Sequence, residues 1–167
     1  MKKLLNPFII ILFAVVLRLV PHVPNFAPIS GMALFGGVYL NKKYALIAPL
    51  LAMFLSDIFL GFHDTMIFVY GSFLLTGLIG LWLRKHKNTT NVITAVFLSS
   101  FLFFLITNFG VWLEGWYPAN LSGLVKAYTL AIPFFRNTIS GDLFYTGLFF
   151  GSYELALKLF KKPAPAN

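Results

Sequence analysis

The chain has 167 residues, of which 59% are hydrophobic and 11% charged. A soluble domain carries about 25% charged residues, so the composition excludes an ordinary soluble protein and leaves room for little beyond a set of short membrane helices. There is no cysteine, which excludes disulfides, thiolate metal sites and cysteine nucleophiles.

The opening stretch, MKKLLNPFIIILFAVVLRLVP, places two lysines before an apolar run, as a signal peptide does. No small-x-small cleavage site follows; the run ends in Arg18, Pro21 and His22. It is expected to be an uncleaved first helix over about 7–21. Further apolar runs predict helices over about 28–41, 43–61, 66–83, 91–113 and 134–158. The runs are apolar all round rather than alternating, which favours helices over the strands of a membrane barrel. The second helix is the shortest: fourteen residues rise about 21 Å, against a hydrocarbon core of roughly 30 Å. Within the longest connection, about 114–133, Leu121, Leu124, Val125, Tyr128 and Ile132 recur at helical spacing, with Asn120 or Ser122 as a cap. That pattern predicts a separate short amphipathic helix on the outer face, either a lid or a passive connector. Residues 1–162 read as a single transmembrane domain, and 163–167 as a disordered tail.

Charge sets the topology. With six spans and a cytoplasmic N-terminus, ten of the 13 Lys and Arg (2, 3, 42, 43, 84, 85, 87, 158, 161, 162) fall inside. Only Arg18, Lys126 and Arg136 fall outside. The positive-inside rule therefore predicts an all-α, N-in/C-in bundle of six transmembrane helices in the inner (cytoplasmic) membrane. The net charge of +8 is accounted for by topology and contact with anionic lipid, and nucleic acid is not an expected partner.

Five polar residues inside or at the edges of the apolar runs fall toward the outer end of the helices: Arg18, Asp57, Asn108, Arg136 and Asp142. A charge in a membrane span costs a few kcal/mol or more, so a set converging on one side reads as a lined cavity. Pro21, Pro24 and Pro28 forbid a helix around His22 and Asn25. Extended backbone at that depth is tolerated where it is buried in protein or faces a wet cavity. His63 follows the third helix; Trp112 shares a face with Asn108, and Thr138 with Asp142. Arg136 and Asp142 stand about 240° apart on one helix and need separate partners. A structural salt bridge, Arg18–Asp57 or Arg18–Asp142, is the alternative to a ligand. Glu154 is expected to pair with Lys158. Ala33 and Gly37, Gly71, Gly77 and Gly80, and Ala48 and Ala52 form small-residue faces suited to close helix packing and to docking on another membrane protein. No catalytic triad spacing, P-loop or dinucleotide fingerprint appears, so the chain is not expected to be an enzyme. No metal-ligand spacing is present, and no cofactor is expected.

The segments RLVPHVPNFAPISGMALFGGVYL, LSDIFLGFH, VYGSFLLTGLIG, ITNFGVWL and AIPFFRNTISGDLFYTGLFFG resemble a DUF6580-like family of small bacterial membrane proteins of unknown function. That family is described as candidate substrate-binding (S) components of energy-coupling factor (ECF) transporters. The resemblance runs from about Arg18 to Gly151 and implies an ECF S-component-like fold. It implies uptake of a vitamin-like micronutrient through an outward pocket, and docking on a coupling transmembrane protein with two ATPase subunits. Arg18, His22, Asn25, Asp57, Asn108, Arg136, Asn137 and Asp142 are the pocket positions it implies, beside His63 and Trp112 from the outer cluster. The A-x-x-x-A docking motif that many S components carry in the first helix falls here at Ala48 and Ala52. The alternative function is a scaffold of the cell envelope, with the polar set as bundle glue. An intramembrane enzyme using Asp57 or Asp142 ranks last, for want of a nucleophile.

Overall fold

The structure is a computed structural model and describes residues 7–160. Lys2, Lys3, Lys161, Lys162 and the 163–167 tail lie outside the described residues. Within them the chain is all-helical: α1 (Pro7–Leu19), α2 (Ile29–Tyr39), α3 (Lys42–Leu60), α4 (Met66–Leu83), α5 (Thr89–Leu113) and α6 (Leu121–Phe160). Three of these, α3, α4 and α5, are long and apolar enough to cross a membrane, while α1 and α2 are shorter apolar helices.

Contacts between helices fix their directions. Phe73 of α4 stacks on Phe103 of α5, and Phe68 lies beside Gly110, so these two run antiparallel. Ser100 of α5 reaches Asp142 of α6, and Arg18 at the end of α1 reaches Met53, Ser56 and Asp57 of α3. Gly31 of α2 meets Tyr145 and Thr146 of α6, and Phe35 meets Phe149, Phe150 and Tyr153 further along both helices. Successive helices thus alternate in direction. Arg18, the start of α4 and the 20–28 segment meet at one end, here the pocket end. Lys42, Lys43, Arg84, Lys85, Lys87 and Lys158 gather at the other.

The centre of the bundle is α2. Every residue from Ile29 to Val38 is buried, which is why this segment is apolar or small all round rather than amphipathic. Eleven residues give a length of about 16 Å, so α2 is even shorter than the sequence predicts, and the 20–28 segment completes its path as non-helical chain. Close approach replaces side-chain volume. A Cβ on Gly80 would stand 2.8 Å from the Leu34 carbonyl oxygen, and one on Gly31 2.9 Å from the Thr146 nitrogen. Ala33, Ala48 and Ala52 are buried as well. The small faces expected to serve docking are therefore spent on internal packing, apart from Gly71, which has nothing within 4 Å.

Two expectations need correction. The amphipathic segment and the last span are one continuous helix, α6, running through Pro133. A proline inside a helix costs about 3 kcal/mol in isolation; here Phe104 of α5 holds both sides of it, packing on Tyr128 and on Phe135. Asn120 caps the start, accepting from the Gly123 nitrogen at 2.9 Å. Glu154 bonds Lys87 and Tyr39 rather than Lys158, because the α4–α5 turn delivers Lys87 beside it. Burial opposes the Lys87 charge, but its hydrogen bonds to Glu154 and Tyr39 outweigh that and raise its pKa. Arg84 closes the same end, donating to the Gly37 carbonyl at 2.9 Å and to that of Leu40.

Gly80→Leu should force α2 and α4 apart and lower the melting temperature of the purified protein strongly, since overpacking costs about 1–3 kcal/mol or more. Gly71→Leu on the same helix should leave it unchanged.

Candidate functional site

The 20–28 segment folds over the pocket end. A turn from the Val23 carbonyl to the Phe26 nitrogen (2.9 Å) puts Asn25 at φ +64°, a left-handed conformation that asparagine adopts more readily than most residues. Helix α6 pins this turn. Asn137 Nδ2 donates to the Pro24 carbonyl at 3.1 Å. Gly141 lets the Phe26 backbone approach so closely that a Cβ there would meet Phe26 Cα at 2.9 Å. The Phe26 ring then lies against Phe144 and Tyr145.

Below the turn, Arg18 is the hub of a polar network. Its Nη1 bonds Asp57 Oδ1 at 2.5 Å, Ser56 Oγ, and the Met53 carbonyl at 3.2 Å. Tyr70 of α4 donates to the other Asp57 oxygen at 2.7 Å. The Asp57 side chain is 1% exposed and that of Arg18 14%. Removal of either charge strands the other in an apolar setting.

Above this network lies a cavity of about 310 Å³ lined by Arg18, His22, Asn25, Ser30, His63, Thr138 and Asp142, with Ile29, Met53, Val69, Phe73 and Phe103 among its apolar walls. Asp142 is 2% exposed. It accepts from Ser100 Oγ at 2.7 Å, and the Ser30 hydroxyl faces the same carboxylate. Among the described residues, no Lys, Arg or His stands within salt-bridge distance of it. An adjoining cavity of about 240 Å³ shares Asn25 and Thr138 and adds Thr107 and Asn108. Asn108 Nδ2 is tied to the Phe104 carbonyl of its own helix at 2.7 Å.

Five of the ten expected site residues, Arg18, His22, Asn25, His63 and Asp142, line the larger cavity, and Asn108 lines its neighbour. The other four stand elsewhere. Asp57 lies behind Arg18 as its counter-ion, and Asn137 supports the turn. Trp112 donates to the Pro118 carbonyl at 3.0 Å and packs on Phe109. Arg136 is exposed on α6 and lines neither cavity. Sequence reasoning missed Tyr70, Ser30, Ser56 and Ser100. The last three are small hydroxyls in apolar runs, and a helix hides such a group equally well by bonding its own carbonyls. Among the described residues, no three His, Asp or Glu side chains converge as a metal site.

Arg18→Met should destabilise the protein by roughly 3–5 kcal/mol, the cost of leaving a buried partner unpaired. Adding Asp57→Asn to that variant should recover part of the loss in the same unfolding titration. Simple additivity of the two single changes would mean the pair is uncoupled.

No curated protein and no solved structure matches this chain significantly. A family model does match, over residues 1–165, almost the whole chain. The chain belongs to DUF6580, a family of unknown function.

Proposed function

We propose that this protein is a substrate-binding subunit of the inner membrane that takes up a small polar, vitamin-like micronutrient from an outward-facing pocket. The observation that carries this is the cavity at the pocket end, which holds a buried carboxylate, Asp142, with no cationic partner. A buried charge left unpaired is a cost to the bundle alone, and a bound ligand offsets it. The volume falls at the lower end of the roughly 300–1,000 Å³ typical of ligand sites.

The orientation follows from charge. The basic residues 42, 43, 84, 85, 87 and 158 gather at one end, which the positive-inside rule assigns to the cytoplasm. Both ends of the chain then face inward, and the alternating helices make six crossings. The second of these combines α2 with the 20–28 segment. Non-helical backbone at that depth is acceptable because it lines the cavity. No ATPase signature is present in the sequence, so the energy for uptake comes from a partner or from a gradient. An ECF coupling protein with two ATPases is the partner that the S-component description suggests. It would dock on lipid-facing side chains rather than on the small-residue faces, which are internal.

A second reading is a cell-envelope scaffold without a ligand. The Arg18–Asp57–Tyr70 network favours it, being the kind of polar glue that reading requires. Asp142 does not fit it, since nothing charged binds it from a neighbouring helix.

Native mass spectrometry of the gently purified protein tests the proposal. A retained small molecule, displaced on unfolding, is the expected result, and co-purifying ATPase subunits would identify the energy source. A chain that is empty of ligand in every mild detergent, with no partner, would favour the scaffold.

A further inference from the structure

Building on the pocket proposed above, we infer that its ligand is a small organic cation, a protonated amine or quaternary nitrogen on an apolar body, whose positive charge pairs with Asp142. The cavity contains one cation deep enough to compete, Arg18, and that guanidinium is already committed to Asp57, Ser56 and the Met53 carbonyl. The two histidines sit at the exposed mouth, each with a local partner: His22 Nδ1 with the Val20 carbonyl, His63 Nδ1 with Thr65 Oγ1. Arg136, which would have given the cavity a second positive charge, lies outside it. Cancelling Arg18 against Asp57 leaves one acidic group among the lining residues, the Asp142 carboxyl, and no uncommitted Lys or Arg to meet it.

The surroundings of that group are hydroxyls. Ser100 donates to it, Ser30 faces it from the first turn of α2, and Thr138 lies one turn before it on α6. The two serine hydroxyls orient the carboxyl group and supply no positive charge, while the Thr138 hydroxyl is tied to the Phe134 carbonyl of its own helix. An anionic ligand would meet like charge in a site of low dielectric, which costs several kcal/mol. A divalent metal ion is a poor match, since it takes six or more oxygen ligands, usually with more than one carboxylate. The lining also has an apolar, aromatic part, with Phe73 and Phe103 packed at 5.3 Å. Such a wall suits a flat or aliphatic body attached to the cationic group, and an aromatic face itself attracts a cation.

The test is equilibrium binding of three matched probes to the purified full-length protein: phenethylamine, phenethyl alcohol and phenylacetate. The amine should bind at least roughly tenfold more tightly than either other probe. Asp142→Asn should erase that preference, weakening the amine far more than the alcohol. Should Asp142→Asn fail to fold, Ser100→Ala serves instead and should weaken the amine several-fold more than the alcohol. Equal or tighter binding of the alcohol or the acid, indifferent to Asp142→Asn, would overturn the cation inference and leave the pocket standing. So would a native ligand, retained in mass spectrometry, that carries no cationic nitrogen. If none of the three probes binds at millimolar concentration, both the inference and the pocket fall.

Discussion

The bond between Arg18 and Asp57 decides the character of the pocket end. It ties the last turn of α1 to α3, and through Tyr70 to α4. It also consumes the one deeply placed positive charge. With Arg18 committed, the cavity above it presents the Asp142 carboxyl with no Lys or Arg of the lining left to pair with it. Three helices and the chemistry of the cavity thus depend on one ion pair whose carboxylate is almost fully buried.

The second constraint is the half-length α2. A helix of eleven residues cannot fill the height of the bundle, and the chain makes up the difference with the proline-rich 20–28 segment. That segment is where the cavity forms, because a turn of non-helical chain packs less completely than a helix would. The glycine contacts at Gly31, Gly80 and Gly141 hold this arrangement in close packing. They bring backbones together around α2 and under the turn, leaving no slack for the pocket end to collapse. Packing of this closeness is the main source of helix association where lipid replaces water.

Much of the helical frame was legible in the sequence. The apolar runs placed α3, α4 and α5 within two residues of their ends, since glycine, charged or capping residues bound each run. Two features were not legible. The end of α2 is set by Arg84, which reaches across from α4 to the Gly37 and Leu40 carbonyls; no local signal announces that. The continuity of α6 depends on Phe104 gripping both sides of Pro133, a tertiary contact that overrides a strong local breaker. For the site, polar residues in so apolar a chain were conspicuous, and half of those expected do line the cavity beside Arg18. The angular separation of Arg136 and Asp142 meant that they would not pair with each other, but both were expected at the pocket; Arg136 is instead exposed while Asp142 is buried. Which aspartate would meet Arg18 was open, because helix spacing fixes the face a residue occupies but not the neighbour that face meets.

The proposed division of labour between the two buried aspartates is central: Asp57 holds Arg18 and the bundle together, and Asp142 is the group proposed to meet a ligand. Thermal stability of Asp57→Asn and Asp142→Asn, measured side by side on ligand-free protein in one detergent, tests it most directly. Asp57→Asn should melt well below the unmodified protein, because it leaves Arg18 without its counter-ion. Asp142→Asn should melt at or above it, because it removes a buried acid that has no cationic partner among the described residues. A loss of stability in Asp142→Asn as large as that in Asp57→Asn would contradict the account and mark both residues as structural.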